Sequence, residues 1–196
     1  YSTSPLKYRE WIYNFYKVNY FIVRRNHIES GKVIKYLEKN SYLIEDKDLL
    51  ETLRFYKMWQ YTIADKKDSV EYYLNEILND EKVSNSVKLK ALNSLSFYFA
   101  RKNITKSAKL LYKAIDIGLK DSLPELYHTF LNLSAIYLNL NLISKAEEFL
   151  KMGLKFKSKN LNPIIEQLYK HNETVLLYAN QKFEEAIKNF KDIRLT

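Results

Sequence analysis

The sequence predicts an all-α fold, an α-solenoid of about five helix pairs, and three observations carry the prediction. Apolar residues recur at helical spacing along almost the whole chain. Leu92, Leu95, Phe99 and Phe130, Leu133, Tyr137 each follow the i, i+3, i+7 face of an amphipathic helix. A small or branched residue recurs early in each second helix, at Val33, Val70, Ala108, Ala146 and Ala186, with spacings of 37, 38, 38 and 40 residues. A period of this size marks a helical solenoid. Glycine is scarce, 3 in 196 residues, too few for Gly-rich phosphate loops or for the tight turns of an all-β sandwich.

Periodicity and breakers place ten helices at about 5–24, 28–39, 46–63, 67–79, 85–102, 105–119, 123–139, 143–157, 163–179 and 182–193. Ser4-Pro5 and Asn162-Pro163 open two of them, each with a capping side chain before a proline at the first helical position. Asp48 with Glu51, Ser122 with Glu125 and Ser144 with Glu147 have capping-box spacing. The helices group as pairs at about 5–39, 46–79, 85–119, 123–157 and 163–193, read as one domain over 1–196. Four residues after each anchor stands Leu37, Leu74, Tyr112, Leu150 or Phe190. Seven after stands Asn40, Ile77, Ile115, Gly153 or Ile193. A small residue followed by a larger one on the same face lets two helices approach closely and then locks them. The first pair can equally be anchored on Gly31. The competing fold reading is an irregular helical bundle.

Composition narrows the function. No cysteine is present, which excludes disulfides, thiolate metal sites and a cysteine nucleophile. His27, His128 and His171 lack a second ligand at i+4, so no metal site is expected. The acidic doublets Glu147-Glu148 and Glu184-Glu185 read as charges in first helical turns, favoured by the helix dipole, rather than as a hydrolytic pair. No catalytic constellation and no cofactor site emerge, so an enzyme is not expected. There is no apolar run long enough to span a membrane. The net charge of +9 admits nucleic acid as a partner. Much of it, however, lies in lysine stripes on second helices (Lys102, Lys106, Lys109, Lys113 and Lys145, Lys151, Lys155, Lys159), which read as a solvated outer face.

The third and fourth pairs resemble the tetratricopeptide repeat. Leu92, Leu95, Ser96, Phe99, Ala108, Tyr112 and Ile115, and then Phe130, Leu133, Ser134, Tyr137, Ala146, Leu150 and Gly153, stand in the order of that family's signature. Their repeats run about four residues longer than its 34-residue consensus. The first two pairs match less well, with Arg54 and Lys57 where apolar residues belong; the fifth is clean only in its second helix (Phe183, Ala186, Phe190). The resemblance implies a right-handed superhelix with first helices lining a concave groove. The positions expected there are Lys90, Asn93, Phe97 and Arg101 in the third pair, His128, Leu131, Asn132, Ala135 and Asn139 in the fourth, and His171, Asn172, Val175 and Tyr178 in the fifth. Phe55 and Trp59 of the second pair are candidates to join them. Amides suit a bound peptide backbone, since one Asn side chain donates and accepts at once.

Across nearly its whole length the chain further resembles the repeat domain of the PlcR and Rgg group, peptide-pheromone regulators of Gram-positive bacteria. The resemblance rests on five degenerate repeats, on Trp59-Gln60-Tyr61 before the Lys66-Lys67-Asp68 turn, and on Asn93 and Asn132, which fall where that group holds its peptide backbone. It implies a cytoplasmic homodimer that binds a short linear peptide and reaches DNA only through a helix-turn-helix domain, which this sequence lacks. Because the chain starts at Tyr1, that domain is expected upstream of it. The exposed-looking stripe Phe183, Ile187, Phe190, Ile193 adds mild support for a partner chain. The alternative function is a plain protein-interaction scaffold, with neither a pheromone nor a DNA-binding domain.

Overall fold

The computed structural model describes residues 5–157 and 163–193. Among these residues it is all-helical, with ten α-helices: α1 (Pro5–Val23), α2 (His27–Lys39), α3 (Lys47–Ile63), α4 (Lys67–Asn79), α5 (Asn85–Phe99), α6 (Ile104–Lys120), α7 (Leu126–Asn139), α8 (Ile143–Leu154), α9 (Pro163–Ala179) and α10 (Phe183–Asp192). A short 3₁₀ turn, Ser41–Leu43, precedes α3. Each expected helix is present, with ends shifted by at most three residues. Consecutive helices pack in pairs, α1 with α2, α3 with α4, α7 with α8 and α9 with α10. Ser96 and Ser107 join α5 to α6.

The turns show how the chain manages with so few glycines. Arg25, Asp65, Ser122, Asn141 and Gln181 all take the left-handed conformation, with φ between 49° and 61°. The next residue then donates its N–H back five residues, as Asn26 does to Phe21 O at 2.9 Å, Leu142 to Tyr137 O at 2.9 Å and Lys182 to Leu177 O at 2.9 Å. This Schellman closure satisfies the last carbonyls of a helix and is usually built on glycine. Four of the five sites join the two helices of one pair.

Helix starts differ from the sequence expectation. Asp46 caps α3, accepting from the N–H groups of Asp48 and Leu49 at 2.9 and 3.2 Å. The Asp48–Glu51 box therefore does not form, and Glu51 is buried elsewhere. Ser122 is a left-handed turn residue, which delays α7 to Leu126, after Glu125. Ser144 lies inside α8, whose cap position is Leu142. The acidic doublet Glu147-Glu148 stands beyond the first turn of α8, and Glu147 pairs with Lys151 at 2.7 Å. Glu184 and Glu185 do occupy the first turn of α10. Asn26 and Asn103 cap α2 and α6, side chains that the spacing rules did not single out. The expected caps Ser4 and Asn162 lie outside the described residues.

The contact pattern divides the chain into two compact units, one ending at Ala91 and one beginning at Leu92, within α5. The first unit buries Trp11, Phe15, Val18 and Ile22 of α1 against Ile34 and Leu37 of α2, with Leu43, Ile44 and Leu53. The Trp11 indole N–H donates to Leu37 O at 3.0 Å, so a full-sized aromatic is buried without an orphaned donor. Arg54 pairs with Asp80, and Lys57 with Glu38 at 2.5 Å, which accounts for two cations at positions where the repeat pattern asks for apolar residues.

The repeat register is corrected in two pairs. A buried small or branched residue lies four residues after the N-cap of every second helix, at Ser30, Val70, Ser107, Ala146 and Ala186. Ser30 replaces Val33, and Ser107 replaces Ala108; both expected anchors are only half-buried. Tyr112 is accordingly an exposed residue, and Leu111 fills the locking position. The reason is chemical. The Ser107 hydroxyl donates to the Ser96 carbonyl at 2.9 Å, and the two hydroxyls meet at 2.8 Å, so serine serves as the small residue that lets α5 and α6 meet. In the second unit, Gly153 supplies the other close approach: a Cβ there would stand 3.2 Å from Phe130 Cβ.

Candidate peptide-binding face

In the second unit the expected groove residues fall on α5, α7 and α9. Along α7, His128, Asn132, Ala135 and Asn139 are spaced four, three and four apart and share one face. His128, Asn132 and Ala135 are half-buried and Asn139 is exposed. On α9, His171 and Tyr178 are exposed and Val175 is half-buried between them in sequence. On α5, Phe97 is 67% exposed. Arg101, just after that helix, is exposed. Lys90 is exposed as well but belongs to the first unit.

The asparagines do not play equal parts. Asn93 is 4% exposed. Its Nδ2 donates to Thr129 Oγ1 at 2.8 Å, and its Oδ1 accepts from Asn132 Nδ2 at 3.0 Å. Asn132 is the outer member of this chain. Its carboxamide is held by Asn93, while its own Oδ1 has no hydrogen-bond partner among the described residues. Asn172 is 5% exposed and donates to Leu131 O at 3.0 Å, tying α9 to α7. Thr129, fully buried, is the member that sequence reasoning missed. Its spacing of three residues before Asn132 places both on the α7 face that meets Asn93.

Leu131 is not a wall of this face. It is buried with Ala146, Leu150 and Leu176, so it packs on the partner helix α8, which corrects the groove position expected for it. Burial lowers the pKa of His128 below 6.5, so its ring is neutral at pH 7. A neutral imidazole one turn from Asn132 can give or take one hydrogen bond. The face therefore presents an oriented amide, a neutral imidazole and the exposed rings of Phe97 and Tyr178. Tyr178 is braced edge-on by Phe183, with ring centroids 5.4 Å apart.

Several other candidate regions are occupied by internal pairings. In the first unit a cleft of about 320 Å³ is lined by Glu38, Arg54, Lys57, Tyr73 and Asp80, whose two cations are paired as described. Trp59 and Phe55 stack on each other at 6.5 Å, also in the first unit. Three of the stripe lysines lie over rings of the first helix of their pair, Lys102 over Tyr98 at 4.1 Å, Lys106 over Phe99 at 4.3 Å and Lys145 over Tyr137 at 5.5 Å, and Lys151 pairs with Glu147. Lys159 lies outside the described residues. On α10, Phe183, Ile187 and Phe190 are all exposed. Among the described residues no cluster of three or more His, Asp or Glu is placed to hold a metal ion, and no helix is long and apolar enough to cross a membrane. No protein-family model matches the chain, and no curated protein matches it.

Proposed function

We propose that the chain is the peptide-sensing domain of a transcription regulator of the PlcR and Rgg type. Its helix pairs stack as a right-handed tetratricopeptide-like superhelix. A short linear peptide lies on the α5–α7–α9 face of the second unit, and its occupancy is relayed to a helix-turn-helix domain that alone touches DNA. The observation that carries this reading is Asn132, a half-buried amide held in place by Asn93 with a hydrogen-bonding oxygen still available. A peptide backbone offers N–H groups at regular intervals, and an oriented acceptor meets one at little entropic cost. Phe97, Val175 and Tyr178 supply surface for side chains. A peptide acts as a signal only if it prefers one of two arrangements of the protein.

Calorimetry against a panel of short synthetic peptides tests the proposal. Binding that is weakened by Asn132→Ala supports it, and failure of every peptide to bind defeats it. A second reading, a protein-interaction scaffold, is favoured by the exposed apolar stripe of α10. In that case a partner protein binds through Phe183, Ile187 and Phe190, and Asn132→Ala leaves its affinity unchanged.

A further inference from the structure

Helix α1 carries two stripes. One, Trp11, Phe15, Val18 and Ile22, is buried in the first unit. The other runs along the opposite side as Leu6, Arg9, Tyr13, Tyr16, Tyr20 and Val23, in steps of three, four, three, four and three residues. That alternation is the a/d seam of a coiled coil. Here the seam has no partner: Leu6 is 75% and Tyr16 69% exposed, and Tyr13, Tyr20 and Val23 are comparably open. A contiguous apolar and aromatic face of this kind marks an interaction surface.

The charges select the occupant. Reversing the stripe end to end sets Leu6 against Val23, Arg9 against Tyr20 and Tyr13 against Tyr16. The pairs are then apolar on apolar, guanidinium on ring and ring on ring. The flanking position holds Glu10 and, one heptad later, Lys17. The same reversal brings Glu10 of one copy to Lys17 of the other, twice across a two-fold axis. Lys17 already rests beside Tyr13 and Phe21, with Nζ 5.9 and 5.6 Å from the ring centres, at the edge of the seam. A parallel arrangement would instead oppose Arg9 to Arg9. The stripe is thus complementary to itself in the antiparallel sense, the requirement for an isologous interface.

We propose that α1 is a self-association surface through which two copies of this chain pair antiparallel, independently of the peptide-binding reading. Sedimentation velocity on the 196-residue chain over a wide dilution series tests it. A monomer–dimer equilibrium is expected. The exposed double substitution Tyr13→Glu/Tyr16→Glu should weaken it by about a hundredfold or more, as loss of central aromatic anchors does, while circular dichroism stays put and the melting temperature matches the wild type at dilutions where both are monomeric. Glu10→Lys and Lys17→Glu alone should each weaken it by about tenfold, because each spoils two ion pairs. Combined in one chain, they should restore wild-type association. Glu10 also faces Tyr36 of α2, so the Lys17→Glu arm carries the single-reversal result if Glu10→Lys perturbs folding. The proposal is overturned by a monomer at every concentration, by a dimer indifferent to Tyr13→Glu/Tyr16→Glu, or by a double reversal that keeps the wild-type circular dichroism and fails to recover.

Discussion

The Asn132 carboxamide donates to the Asn93 carboxamide oxygen at 3.0 Å, and Asn93 passes the polarity inward to Thr129 at 2.8 Å. Two asparagines that look equivalent in sequence therefore have different work. Asn132→Ala removes the outer group and should cost peptide binding about 1–3 kcal/mol while changing stability by less. Asn93→Ala leaves Thr129 only its long bond to the Glu125 carbonyl, 3.5 Å, and frees Asn132. It should lower stability by about 1–3 kcal/mol and weaken binding too. Asn93→Asp keeps an acceptor for Asn132, and Thr129 can turn its hydroxyl to donate, but it buries a carboxylate, so it should preserve peptide binding better than Asn93→Ala while recovering little of the stability. Chemical denaturation and calorimetry on the three variants separate these outcomes.

The repeat register makes a sharper test, because neighbouring residues should respond differently. Ser107 is fully buried where α5 meets α6, and Ala108 beside it is half-buried. Ser107→Leu overfills the contact and breaks two hydrogen bonds, so a loss of about 2–4 kcal/mol is expected. Ala108→Leu should stay within about 1 kcal/mol of the wild type. Equal losses at both positions would contradict the register. Urea unfolding midpoints at constant slope are the measurement.

These two residues also show how far the sequence could be read. Helix positions and pairing were legible because the 3.6-residue period and the small residues Val70, Ala146 and Ala186 all point the same way. Ser30 and Ser107 were not, because serine is written identically whether it caps, faces water or lies at a helix contact. Only the neighbouring backbone decides. The same ambiguity hid the burial of Asn93 and Asn172. Leu131 was misplaced because α7 is apolar on most of its circumference, so periodicity alone could not say which side meets α8. The start of α7 was set too early because Ser122 adopts a left-handed conformation that no composition rule assigns to it.

The left-handed turns carry removable strain. A side chain in this region costs about 1–2 kcal/mol, while glycine there costs only its greater freedom in the unfolded chain. Arg25, Asp65 and Gln181 are exposed, so little packing is lost on truncation. Gln181→Gly should raise stability by about 0.5–1 kcal/mol, and Arg25→Gly likewise. A melting temperature lowered by both would show that the side chains contribute more than the backbone strain costs.

Glu51 should set much of the acid sensitivity of the first unit. It is 4% exposed. Burial alone would raise its pKa, but the Ser84 N–H at 2.9 Å, the Ser84 side chain and Lys47 at 3.4 Å outweigh burial and hold it below 4.5. A carboxylate lowered on folding adds stability that is complete above its unfolded value and is lost as pH falls from there through the folded pKa. Unfolding free energy should therefore drop as pH falls below about 4.5, and Glu51→Gln should flatten that limb while lowering stability at neutral pH by about 1–3 kcal/mol. His128 in the second unit acts earlier. Its pKa is lowered by burial, so the unfolded chain binds its proton first, and stability should begin to fall as pH drops below 6.5. His128→Gln should remove this earlier decline and leave the limb governed by Glu51. Denaturation at stepwise pH resolves the two, and an acid limb unchanged by Glu51→Gln would show that other carboxylates dominate.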